Sequence, residues 1–83
     1  MMTNHLSDEL IKKKFGITVR KLRTQKGFSQ EVLAERTGLH RTYISDVEQG
    51  ERNLSLININ KFCKALEISL ANFFKMMEEE KFI

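Results

Sequence analysis

The sequence predicts an all-α domain of five short, compactly packed helices, and three observations carry that expectation. No Pro occurs among the 83 residues, so nothing breaks a helix ladder. Small polar residues and glycines punctuate the chain at helix-length intervals. Ser7, Ser29, Ser55 and Ser69 each precede an apolar run and can cap its first amides, while Gly27, Gly38 and Gly50 follow such runs and can end them in the left-handed conformation. Between these marks the apolar residues recur at three- and four-residue spacing, the period of a helix with one buried side.

The elements follow in order. Residues Met1 to Leu6 read as a loose tail. Ser7-Asp8-Glu9 supplies a capping hydroxyl and two acids at the positive end of a helix dipole. A long helix then runs to about Lys26, with Ile11, Phe15, Val19 and Leu22 as its apolar stripe. Gly16 costs roughly 1 kcal/mol against Ala inside that helix, which fits a close approach by another element or a helix that starts later. Lys12, Lys13 and Lys14 are either a solvated face or phosphate contacts.

Two short helices come next, joined by a tight turn. Gln30 to Thr37 places Leu33 and Ala34 inward, Gly38 ends the helix and Leu39 plugs the turn. A small residue is required at Ala34, because two helices crossing steeply over a short turn leave no room for more. A second helix from about His40 buries Ile44 and Val47 and turns Arg41, Thr42, Ser45 and Gln49 outward, with Tyr43 beside them. That layout is a DNA-binding helix-turn-helix. After the Gly50–Asn53 turn, Leu56 to about Leu66 carries Leu56, Ile59, Phe62, Cys63 and Leu66 at helical spacing. The last helix, Leu70 to roughly Glu80, holds more apolar side chains than a small core needs. Phe74, Met77 and Phe82 are therefore expected outside, as a homodimer interface, with additional core as the alternative.

Composition narrows the function. A length of 83 residues suits one domain over 1–83, with residues 70–83 serving dimerisation, and 41% hydrophobic content supports a core without staples. The single cysteine, Cys63, allows no internal disulfide and fits a reducing cytoplasm; on an apolar stripe it reads as core. No apolar run reaches membrane-spanning length, and Arg20 cuts short the only stretch that follows the lysines as a secretory signal would. His5 and His40 have no Ser, Cys or carboxylate at a catalytic or metal-binding spacing, so neither enzyme chemistry nor a cofactor or metal is expected. Charge is uneven: 12 basic against 8 acidic residues through Ser69, then 2 against 3 from Leu70 to Ile83. The positive excess lies on the helix-turn-helix half, where an anionic partner would dock.

Residue chemistry sharpens this. Arg41 sits in the first turn of the second helix of the pair, and its planar fork can donate twice to guanine O6 and N7. Thr42 and Ser45 can meet bases or phosphates, and Tyr43 the sugar-phosphate backbone. Gln30 points backbone amides and a side-chain donor at a phosphate from the first helix's N-terminus. Arg52 and Asn53 are candidates for the backbone or a neighbouring minor groove. Glu48 would repel phosphate if it faced the groove. It is expected to turn inward to Arg23, rather than Arg20, as a fold-holding ion pair.

These residues carry a resemblance. Val19-Arg20-Lys21-Leu22-Arg23, Lys26-Gly27-Phe28-Ser29-Gln30-Glu31, Leu33-Ala34, Gly38-Leu39, Ile44-Ser45, Val47-Glu48, Gly50 and Leu70 to Phe74 resemble the lambda-repressor-like helix-turn-helix family of phage repressors and bacterial regulators. Within it, Arg41-Thr42-Tyr43-Ile44-Ser45, Glu48 and Glu51-Arg52-Asn53-Leu54-Ser55 resemble the controller proteins of restriction–modification systems. The resemblance implies a free-standing homodimer acting upstream of its own gene and the endonuclease gene, activating at low occupancy and repressing at high. Its partners would be a pseudo-palindromic double-stranded operator and RNA polymerase, with Arg41, Thr42, Tyr43 and Ser45 on the operator and Arg52 and Asn53 assisting. His40 stands where such proteins commonly carry Asp, which bears on capping and base contact there. The alternatives are a phage-type repressor, an antitoxin-like autoregulator and, from another class, a protein-interaction module that keeps the fold without binding DNA. No small-molecule inducer is expected.

Overall fold

The computed structural model describes residues 7–81. Among them are five helices and no strand: α1 (Asp8–Gln25), α2 (Gln30–Thr37), α3 (Arg41–Glu48), α4 (Leu56–Ala65) and α5 (Leu70–Glu78). The expected tail over residues 1–6 and the expected interface residue Phe82 lie outside the described residues.

Local chemistry sets the boundaries. The hydroxyls of Ser7, Ser29, Ser55 and Ser69 accept from the amides of Leu10, Val32, Asn58 and Asn72 at 3.0–3.1 Å, each satisfying an amide of the first turn that has no partner inside the helix. The start of α3 differs: His40 is in the capping conformation but its side chain makes no capping bond. Gly38 ends α2 at φ 73°, and its amide and that of Leu39 return to the Ala34 carbonyl at 2.9 and 3.1 Å. Buried Thr37 completes the turn by donating to Leu33 O at 2.8 Å and accepting from Leu39 N at 3.3 Å. The end of α4 is not marked by glycine at all. Glu67 takes the left-handed conformation at φ 58°, letting Ile68 N donate to Cys63 O at 3.0 Å.

The core lies where α1 packs on α3 and α5, α2 on α3 and α4, and α4 on α5. Val19, Leu33, Ile44 and Val47 from the first three helices meet Phe62, Cys63, Leu66 and Phe73 from the last two, all sealed from solvent. Phe15 joins the halves, its ring edge-on to Phe62 and 4.9 Å from Phe73. Burial pushes the Cys63 thiol above its ordinary pKa, as expected for a core residue. Gly16 marks a close approach: a Cβ there would overlap the Val47 carbonyl oxygen and stand 2.8 Å from that of Glu48. The α1 backbone thus lies directly on the C-terminal end of α3.

Three expectations require correction. Met77 is 5% exposed and belongs to the core, because it sits one turn after Phe73 on the same stripe, so it offers no side chain to a second copy. Phe74 is half-buried, packing edge-on against Phe73, and not a free surface residue. Ile11 (43% exposed) and Leu56 (71%) fall outside the core although their spacing placed them on the apolar stripes. Both occupy the first turn of their helices.

Candidate nucleic-acid interface

The inner side of α3 is committed to the fold. Ile44 and Val47 enter the core, and Glu48 turns beneath them to Arg23 of α1, with Nε–Oε2 at 2.6 Å and Nη2–Oε1 at 3.0 Å. The side chains are only 12% and 4% exposed, and the third guanidinium nitrogen donates to Phe28 O at 2.8 Å. The Glu48 hydrogen bond raises the Arg23 pKa above its already high ordinary value against the opposing effect of burial. The bidentate geometry aligns α1 with the end of α3 at the place where Gly16 lets them touch.

The outer side of α3 is uncovered. Arg41, Thr42 and Gln49 are exposed, Tyr43, Ser45 and Asp46 half-buried. Arg41 is tethered from α2: its Nη1 donates to Gln30 Oε1 at 3.2 Å, and its Nε lies 3.8 Å from Glu31. Gln30 in turn donates from Nε2 to Glu48 Oε1 at 3.1 Å. One of its two side-chain N–H donors, expected on a phosphate, is therefore engaged within the protein, because the buried carboxylate needs a further partner. Gln49 likewise donates to Ser45 Oγ at 3.3 Å. Asn53 is exposed in the loop after α3 and His40 at its start.

Two residues that sequence reasoning did not assign shape this face. Asp46 stands one turn after Thr42 and just before Gln49, so an acid occupies the outer surface of α3. Arg52 Nε and Nη2 lie 3.2 and 3.1 Å from its Oδ2. The same guanidinium lies 5.0 Å from the centre of the Tyr43 ring, and Asn58 Nδ2 donates to the Tyr43 hydroxyl at 3.2 Å. Arg52 is thus paired with Asp46 while its side chain stays 47% exposed. The Asp46 position was legible from helical spacing; Asn58, 15 residues from Tyr43 and in another helix, gave no sign. The lysine run also finds a place: Lys13 packs against Gly50, and Lys12 lines a shallow groove with Arg52, Asn53 and Leu54. Among the described residues no group of three His, Cys, Asp or Glu can hold a metal, and no helix is long and apolar enough to cross a membrane.

Comparison with known proteins agrees with this geometry. The helix-turn-helix family matches over residues 19–73. The control protein C.MunI of Mycoplasma sp is 44% identical over 71 residues, covering 84% of this chain and 96% of that protein. C.BamHI of Bacillus amyloliquefaciens is 56% identical over 55 residues, 65% and 68% of the two chains. Among solved structures, the restriction–modification controller protein C.AhdI from Aeromonas hydrophila superimposes with a TM-score of 0.73 at 51% identity, over 76% of this chain and 96% of that one. The controller protein C.Esp1396I, crystallised as a tetramer with its natural 35 base-pair operator, does so at 0.78 and 38% identity, over 83% and 91%. With five helices, an uncovered α3 and these relatives, the chain belongs to the helix-turn-helix family and, within it, to the controller proteins of restriction–modification systems.

Proposed function

We propose that this protein binds a pseudo-palindromic operator as a homodimer in the cytoplasm and sets the timing of endonuclease expression in a restriction–modification operon. The observation that carries the reading is the uncovered outer side of α3, where Arg41, Thr42, Ser45 and Gln49 present hydrogen-bonding groups next to a basic α1. Arg41 reads guanine; Thr42, Ser45 and Tyr43 make the adjoining base and backbone contacts; His40, Gln49 and Asn53 border the helix. The amides at the start of α2 face a phosphate. Activation at low occupancy requires a contact with RNA polymerase.

Dimerisation follows from the reach of α3. One eight-residue helix reads a few base pairs, whereas a two-fold pair reads two half-sites about one helical turn, roughly 34 Å, apart. With Met77 in the core, the surface favoured for a second copy moves to the first turn of α4. There Leu56 and Ile57 are 71% and 66% exposed, directly after the loop that leaves α3, so pairing there brings two reading helices together. Phe74 sits at the margin of that role.

A band-shift series over rising salt tests the function. Operator binding weakens steeply with salt, because each neutralised phosphate releases counterions, yet keeps its sequence preference. Binding that is indifferent to sequence at every salt concentration contradicts the proposal. Ile57→Asp should turn a sedimenting dimer into a folded monomer; an unchanged dimer moves the interface elsewhere.

A further inference from the structure

The cations of α1 are divided between two edges of the helix, and only one edge borders α3. The two helices touch along a line. Gly16 lies against the carbonyls of Val47 and Glu48, and Lys13, one turn earlier, sets its backbone and Cγ against Gly50. Farther along, Arg23 takes Glu48, which also accepts from Gln30 at the start of α2. Lys13, Gly16, Arg20 and Arg23 follow one another at three- and four-residue steps, so they share this edge. Gly16 and Arg23 turn into the junction, whereas Lys13 and Arg20 are exposed beside it. Neither takes part in an ion pair among the described residues, although Glu9, one turn before Lys13, and Glu51, next to Gly50, are acids nearby in the chain. Lys14 and Lys21 occupy the other edge, turned towards the end of α5, where Lys21 pairs with Glu80 at 2.9 Å.

We propose that Lys13 and Arg20 hold phosphates of the DNA strand bordering the groove that α3 enters, on the flank between Gly50 and the start of α2. The inference rests on the proposed DNA binding. Gly50 directly follows Gln49 of the outer side of α3, so the Lys13 stem begins where the reading surface ends. The close approach at Gly16 draws the whole edge up to that surface. Seven residues of helix separate the two cations by about 10 Å along the axis, which places them on different phosphates. Contacts of this kind set the register of a protein on the duplex and carry no sequence information.

The measurement is affinity against salt for two probes, a duplex enriched from a random pool by the wild-type protein and the unselected pool itself. Each phosphate contact contributes about 0.9 to the slope of log affinity against log salt, or about 3.5-fold across a fourfold rise in salt. Glutamine keeps the Lys13 stem on Gly50 and removes only the charge. K13Q and R20Q should each make the slope shallower by about 0.9, and K13Q/R20Q by about 1.8. The loss should be equal on both probes, so preference for the enriched duplex is kept, and urea unfolding should stay at the wild-type midpoint. K13R and R20K should retain the wild-type slope. K14Q removes the same charge one residue away, on the other edge, and should also retain it. A K14Q slope that falls as far as those of K13Q and R20Q overturns the assignment, because net charge and not position would then govern binding. Wild-type slopes for K13Q and R20Q overturn it as well. So does a loss confined to the enriched duplex, which a backbone contact cannot produce. Wild-type protein that binds neither probe removes the proposed function itself, a result distinct from any of these.

Discussion

Two arginines hold carboxylates of α3, one on each side of the helix. Arg23 and Glu48 meet on the inner side, 12% and 4% exposed, with each of the three guanidinium nitrogens donating to a protein acceptor. Arg52 and Asp46 meet on the outer side, 47% and 28% exposed, with a single carboxylate oxygen taking both bonds. The chemistry is the same and the consequences differ, because solvent decides what a broken pair costs. An orphaned charge inside has no water to turn to, whereas one outside is rehydrated at once. The inner pair therefore holds the fold, and the outer one adds little to its stability.

The largest break should come on the inner side. Glu48→Ala leaves Arg23 buried without its partner and removes the acceptor for Gln30, and should destabilise the domain by about 3–5 kcal/mol, measured by urea unfolding. Gly16→Ala attacks the same junction through its backbone. The added methyl has no space against the Val47 and Glu48 carbonyls, and about 1–3 kcal/mol of overpacking should outweigh the gain in helix propensity. Arg41→Ala belongs to the outer side. It should leave the unfolding curve unchanged while losing roughly 1–3 kcal/mol of discrimination between duplexes; retained preference in that variant would take the reading role away from Arg41. His40→Asp should add the missing cap to α3 and raise stability by about 0.5–1 kcal/mol. The smallest effect sits at Glu67, whose carboxyl is held below its ordinary range first by the hydrogen bond from Lys26. A depressed carboxylate contributes above its ordinary pKa and loses that contribution as pH falls through the lowered value. Glu67→Gln should therefore leave the acid-side fall in stability only slightly flatter.

The inner side was largely legible in the sequence and the outer side only in part, for a physical reason. Buried contacts are over-determined: Phe15, Val19, Leu33, Ile44 and Phe62 obey helical spacing, and a carboxylate at Glu48 could only be tolerated there with an arginine beneath it. Four serine caps announce themselves by position alone. The outer contacts depend on how far long side chains reach across a loop, and Arg52 had an open choice between solvent, Asp46 and a phosphate. Glu67 takes the left-handed position after α4 without a glycine to announce it, yet the apolar spacing through Leu66 placed that end within a residue. Met77 was placed outside by counting apolar side chains on α5; the phase with Phe73, one turn earlier, puts it inside.

Cys63 lends the molecule a use that none of its neighbours shares. As the only thiol in the sequence, 2% exposed and with its ionisation suppressed by burial, it is unreactive toward an alkylating or disulfide reagent while the core stays shut. Its labelling rate therefore reports how often the whole domain opens, without any engineered probe and at concentrations too dilute for calorimetry. Compared with and without DNA, that rate would register ligand binding as a slower modification of a residue that touches no ligand.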